Sequence, residues 1–399
     1  MPRVVSVAVV IWIGSVAFTA VPGQFPAKAQ DGQEIFRYDT FGDEQLWTDV
    51  LRMHEAVQKV SPAVALSVGL NVDSDALPPA LVAALQRGDV NLDDPAVTAQ
   101  LLRLDAVVGL VGHVDGRGRV RRLGITCALC HSTVDHSVTT GIGRRLDGWP
   151  NRDLNVGAIL GLSPALDATL KQEFSEWGPG MYDPRHHAFN GRSIIPLNSP
   201  SLPVLIPPAY GLQGVEFETY TGDGPISYWN AYVGISQMGG EGNFSDPRIG
   251  LTIRQRPDRI TRKLPALLAY QLSLDAPAPP AGSFNPAAAA RGDDVFHGQG
   301  GCATCHQPPT YTDVASGPDP SVPVLHDPAA IGADPSYAAR SATKQFRTTP
   351  LRGVWHRAPY FHDGRAATLL EVVTHYDAHF GLNLSGPQMA DLVEFLKSL

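Results

Sequence analysis

Cysteine is scarce in this sequence: four occur among 399 residues, and all four fall in two short motifs, so no thiol is left for a role elsewhere. Basic residues are outnumbered, 31 Lys and Arg against 39 Asp and Glu, for a formal charge of −8. That balance excludes nucleic acid as a partner, because phosphate binding needs clustered cations. After the first two dozen residues there is no second long apolar run, so the mature chain is expected to be soluble. No internal repeat is present beyond the two motifs. What remains, 43% hydrophobic and 18% charged residues, is globular composition, and the length suits two domains, each able to bury its own core.

The two motifs are Cys127-Ala128-Leu129-Cys130-His131 and Cys302-Ala303-Thr304-Cys305-His306. Two thiols three residues apart can form thioethers with the two vinyl groups of one haem, and the adjacent histidine then lies under the ring as an iron ligand. A zinc ribbon also uses such pairs, but spaced about 15 to 20 residues apart; here Cys130 and Cys302 are 172 positions apart. A disulfide framework or a thioredoxin-type pair would not require histidine after each cysteine pair. With 13 histidines in 399 residues, chance places one after both pairs about once in a thousand sequences. The pattern therefore implies two covalent c-type haems, held through Cys127, Cys130 and His131 and through Cys302, Cys305 and His306.

The N-terminus reads as a targeting segment. Arg3 supplies a positive start, Val4 to Val21 is almost uncharged and apolar, and Ala27-Lys28-Ala29 is a small-x-small cleavage site, so residues 1–29 are expected to be a signal peptide. An uncleaved anchor is the rival, since the run is marginally long enough to span a bilayer. Export in a Gram-negative cell leads to the periplasm, where haem is attached to c-type cytochromes. Beyond the signal, Asp43 to Lys59 has helical spacing, and Val107 to Ile125 reads as a hairpin around Asp115-Gly116-Arg117-Gly118 that delivers the chain to Cys127. Residues 140–225 are rich in Gly, Pro and Asn, and a haem could replace the missing helix as something to pack on. Ala276-Pro277-Ala278-Pro279-Pro280-Ala281-Gly282 is a stiff linker. It separates an N-terminal haem domain with an extension (30–275) from a C-terminal cytochrome c domain (283–399). The latter opens with an Ala-rich helix from Asn285 to His297 and closes with an amphipathic one from Ser385 to Leu399. The expected fold is mainly α, two cytochrome c-like domains with long irregular loops.

The C-terminal third resembles the bacterial dihaem cytochrome c peroxidase superfamily, which includes MauG and, more distantly, the RoxA-type rubber oxygenases. The likeness is carried by Phe346-Arg347-Thr348-Thr349-Pro350-Leu351-Arg352-Gly353, by Ala358-Pro359-Tyr360-Phe361-His362-Asp363-Gly364-Arg365, and by Thr368 to Tyr376. Asn198-Ser199-Pro200-Ser201 and Tyr220-Thr221-Gly222 resemble shorter segments of the family's N-terminal domain, and Trp177-Gly178-Pro179-Gly180 is closer to the RoxA-like branch.

The resemblance implies a division of labour. The His131 haem would be reactive and the His306 haem would pass electrons, with Tyr376 at the family's sixth-ligand position. Packing beside the haem edge is the bland alternative for Tyr376, and His375 and His379 are further candidates. Tyr220 would stand between the haems. Glu241, in Met238-Gly239-Gly240-Glu241-Gly242, falls where the family has its distal acid–base carboxylate, and Asn230 where it has a helper amide; a solvated turn is the alternative for Glu241. His362, Asp363 and Arg365 would support the second haem. A calcium ion would sit between the haems on Asn198 and the Thr348–Pro350 segment. His54 is a weaker candidate for a distal ligand, and His186-His187 receives no role. The implied activity is peroxide reduction or peroxide-dependent oxidation. Electrons would come from a small redox protein or a quinol-linked donor, and a homodimer stays open. A pure electron carrier and a RoxA-like oxygenase are the alternatives.

Overall fold

The computed structural model of the chain describes residues 27–184 and 200–399. Helices dominate, and the strands form only two-stranded pairs, the longest strand being the six residues Val120–Ile125. No helix among the described residues is long and apolar enough to cross a membrane. The apolar N-terminal run, Asn198 and His186-His187 lie outside the described residues. Of the small-x-small site, Ala29 is buried in the helix Ala27–Tyr38.

The expected hairpin is present. Leu110–Val114 pairs antiparallel with Val120–Ile125, and the Asp115 carboxylate closes the turn by accepting from the Arg117 and Arg119 backbone amides at 2.9 and 3.0 Å. Thr126 N then donates to Gly109 O at 2.9 Å, tying the end of the hairpin to the first motif. Gly109 has φ of 78°, and a Cβ there would lie 2.2 Å from Leu129 Cα. Only glycine lets the strand approach the motif this closely.

The Asp43–Lys59 helix is not continuous. A π-helical turn at Gln45–Val50 and a short α-helix at Met53–Val57 flank Arg52, whose φ is 55°. Tertiary bonds override the local periodicity: Thr48 exchanges side-chain hydrogen bonds with Leu123 at 2.8 and 3.0 Å, and Leu51 O accepts from Ser163 Oγ at 2.6 Å. Among the described residues of 140–225 the chain is irregular apart from the short helices Val156–Gly161 and Ala168–Ser175 and the short strands Ile142–Gly143, Arg145–Asp147, Met181–Tyr182 and Val204–Leu205. There Trp177 is buried against Phe174 and Tyr182, with ring centroids 4.8 and 5.4 Å away.

Two main hydrophobic cores result. The larger gathers buried residues from Phe36 to Tyr270, and a second gathers residues from Val295 to Leu396. No helix or strand interrupts the stretch between Leu272 and Pro286, where the Pro-rich linker runs. The two terminal helices expected of the second region are both present. Asn285 caps Pro286–His297 by accepting from Ala287 and Ala288 amides, and Ser385 and Gln388 form a capping box on Gly386–Ser398. A third, smaller cluster of Val204, Tyr337, Ala338 and Phe346 joins the two regions. Nearby, Arg340 grips both oxygens of the fully buried Asp183 at 2.9 Å.

The two C-terminal helices touch at Gly292, where a Cβ would lie 2.0 Å from the Asp391 carbonyl oxygen. Gly292→Ala must push them apart, and overpacking of this kind costs about 1–3 kcal/mol. The expected outcome is a lower melting temperature of the holoprotein; an unchanged one would contradict the close contact.

Candidate haem sites

The first motif opens onto a cleft with about 1370 Å³ of empty space, part of it continuous with solvent. Cys127, Cys130 and His131 lie on its wall, together with Tyr182, Ile206, Trp229 and Met238. His131 Nδ1 lies 3.0 Å from the Pro207 carbonyl oxygen. A carbonyl can only accept, so Nδ1 carries the proton and Nε2 keeps its lone pair. Burial lowers the His131 pKa to about 4, and the imidazole is neutral near pH 7. The second motif repeats the device: His306 Nδ1 lies 3.0 Å from Tyr311 O, and burial again lowers the histidine's pKa.

All four cysteines are free of disulfides. Burial pushes the Cys127 and Cys130 thiols up to about 12 and Cys302 to about 11. Partly exposed paired thiols beside a histidine with a prearranged Nε2 fit covalent haem attachment at both motifs. Such a haem would supply redox chemistry, while the chain sets ligation and access.

The expected functional residues are only partly brought together. Tyr220 lies on the cavity wall, its hydroxyl donating to Leu205 O at 3.1 Å and its ring centroid 6.1 Å from that of His362. It thus stands at the junction with the C-terminal region. Asn230 is also on the wall, its amide donating to Gln271 Oε1 at 2.7 Å. Glu241 is not on the wall. It lies in an ion pair with Arg259, on a turn anchored by its own amide to Phe41 O at 2.9 Å. His54 is likewise absent from the wall.

The carboxylate that does reach the wall is Glu218, 7% exposed, and it is the only one there among the described residues. Its Oε2 is 3.2 Å from Arg347 Nη2, while Oε1 has no hydrogen-bond partner. No local periodicity in the sequence marks it: Thr219, between Glu218 and Tyr220, has φ of 62°, so the chain there is not an extended strand. Arg347 also bonds to the carbonyls of Phe217 and Thr219, and so fixes this segment from the C-terminal region.

Near the second motif, Tyr376 is packed between Phe361 and Phe380, with centroids 5.9 Å from each. Burial raises its pKa to about 12, with Cys305 and Cys302 contributing. His375 and His379 instead stack on each other at 6.2 Å, and His379 Nε2 contacts Ala330 O at 3.1 Å. Arg365 pairs with Asp363 at 3.0 Å and lies 4.0 Å over the Phe361 ring. His362 is buried among Tyr220, Tyr337 and Phe346. The Thr348–Pro350 segment does not fit calcium well. Thr348 O already accepts from Thr312 at 2.6 Å, and Pro350 O accepts from the buried Arg357 guanidinium at 2.6 Å. A cation there meets a cation.

No family profile matches the chain. A cytochrome c peroxidase, IdrP2 of Denitromonas iodatirespirans, is 30% identical over 140 residues, 27% of this chain and 38% of that protein. IdrP1 of the same organism, also a cytochrome c peroxidase, is 29% identical over 188 residues, 35% of this chain and 50% of that protein. Part of this chain is a distant relative of cytochrome c peroxidases. It spans half or less of the length of these curated relatives. Among solved structures, Kuenenia stuttgartiensis hydrazine synthase is similar at 19% identity and a TM-score of 0.35, over 53% of this chain and 79% of that one. A MauG-like protein associated with microbial copper homeostasis is similar at 22% identity and a TM-score of 0.28, over 36% and 55%.

If Tyr376 ligates the second iron, Tyr376→Phe removes the ligand and keeps the packing. The ferric holoprotein is then expected to gain one equivalent of high-spin haem by electron paramagnetic resonance. An unchanged spectrum would assign Tyr376 to packing alone.

Proposed function

We propose that the chain is an exported two-haem c-type oxidoreductase of the peroxidase/MauG type. It reduces peroxide, or uses peroxide to oxidise another substrate, at the His131 site. Electrons enter at the His306 site from a small redox protein or a quinol-linked donor and pass by way of Tyr220. The observation that carries this reading is the asymmetry between the motifs. The first faces a cleft whose wall bears a carboxylate and an amide pair, whereas the second has the half-buried phenol of Tyr376 packed between Phe361 and Phe380. A cleft with convergent polar groups suits a small substrate. The distant peroxidase relatives support the same chemistry.

The chain's own part follows from its geometry. The Pro207 carbonyl orients His131, and the Tyr311 carbonyl orients His306. Apolar residues line most of the cleft around the first motif, and Asn230 and Gln271 place amide groups on its wall.

Protein matured with both haems is expected to show one high-spin ferric component that binds cyanide, with peroxide consumption dependent on a reduced donor. Two low-spin haems without peroxide turnover would indicate a pure carrier. Product formed from oxygen alone would indicate a RoxA-like oxygenase.

A further inference from the structure

We propose that Glu218, and not Glu241, is the carboxylate that carries protons in the His131 cavity, with Arg347 of the C-terminal region as its positioning residue. This rests on the oxidoreductase reading above and names the proton-handling group that reading requires.

Placement comes first. Glu218 is the only carboxylate on the cavity wall among the described residues. Its backbone is held on both sides: its amide donates to Gly224 O at 2.9 Å, and its carbonyl accepts from Trp229 Nε1 at 3.1 Å. Oε2 is occupied by Arg347, which leaves Oε1 as the atom free to exchange a proton. The neighbouring Thr219 Oγ1 is buried and unpartnered too, so two adjacent polar atoms lack a protein partner at this wall segment. A native fold rarely leaves such groups unpaired unless something else meets them.

The charges around Glu218 can be enumerated. Burial opposes ionisation most strongly, while Arg347, the Thr219 backbone amide and Arg357 favour the ionised form, and the net effect is a raised pKa. A carboxyl shifted upward towards neutrality is better placed to accept and return a proton than a solvated one. Glu241, with its partly exposed side chain against Arg259, is not on the cavity wall.

The step balances as follows. Glu218 Oε1 takes the proton from the peroxide oxygen that stays behind and returns it to the oxygen that leaves. The O–O bond breaks, and the leaving oxygen departs as water with the bonding pair. Two electrons from the donor protein and two solvent protons convert the remaining oxygen into a second water.

Cyanide provides a test independent of turnover, because HCN must surrender its proton to bind ferric iron as cyanide. In the holoprotein, the rate of cyanide binding should rise as pH rises through the Glu218 pKa. Glu218→Gln should slow it about 100-fold or more and flatten the profile. Arg347→Gln removes a cation that favours ionisation and should move the rise to higher pH, with Arg347→Lys restoring part of the shift. A wild-type rate and profile in Glu218→Gln, or the loss appearing in Glu241→Gln instead, would overturn the proposal and leave the oxidoreductase reading standing. Wild-type protein that binds no cyanide would overturn both. If Glu218→Gln does not retain haem, Glu218→Asp decides: a slower but pH-dependent rise supports the role, and a flat profile refutes it.

Discussion

The hydrogen bond from His131 Nδ1 to the Pro207 carbonyl organises much of the N-terminal half. It fixes which ring nitrogen is protonated and therefore where the lone pair of Nε2 points. For Pro207 to stand there, the chain must return across the first motif in irregular, proline-rich backbone, because a helix or sheet would commit that carbonyl to its own ladder. The return is pinned by further backbone bonds on either side: Ile206 N donates to Gly180 O at 2.9 Å, and Ala209 N to Gly148 O at 2.8 Å. Gly148 N in turn donates to His131 O at 2.8 Å. The motif and its supporting loop thus form a closed hydrogen-bonded circuit around the histidine.

The same half is also held from outside. Arg347 reaches from the C-terminal region to the carbonyls of Phe217 and Thr219 and to the Glu218 carboxylate, and its own amide donates to Tyr220 O at 2.9 Å. One buried side chain and one backbone group therefore set the position of four consecutive residues on the cavity wall. Removing a guanidinium in this setting would leave three oxygen acceptors without their donor, a larger loss than one surface ion pair. The two regions are mechanically joined at the segment where one would deliver electrons and the other would use them.

Much of this was legible in the sequence, for identifiable reasons. The thiol spacing is covalent chemistry and does not depend on the fold. The hairpin before Cys127 and the helices Pro286–His297 and Gly386–Ser398 follow from local signals: an Asp-Gly turn, an Asn cap, and a Ser–Gln capping box. The break in the helix expected over 43–59 was not legible, since it comes from Thr48 and Leu51 bonding to residues far along the chain. Nor was the cavity carboxylate. Glu241 falls at the family's carboxylate position by resemblance alone. Glu218 is defined by what approaches it, an arginine 129 positions away in sequence.

The contrast between the two carboxylates shows what a spacing argument omits. Both precede or follow aromatic, glycine-rich stretches, and both are paired with arginine, so composition cannot separate them. Burial does. Arg259 and Glu241 share solvent, where an ion pair is screened and worth little. Glu218, 7% exposed, faces Arg347, 8% exposed, where desolvation of the carboxylate competes with the attraction and raises its pKa. Its proton affinity therefore depends on the charges around it, among them any charge arriving in the cavity and the guanidinium carried by the C-terminal region. Proton handling at the first site is consequently tied to the seating of the second region, through one guanidinium and the four residues it holds.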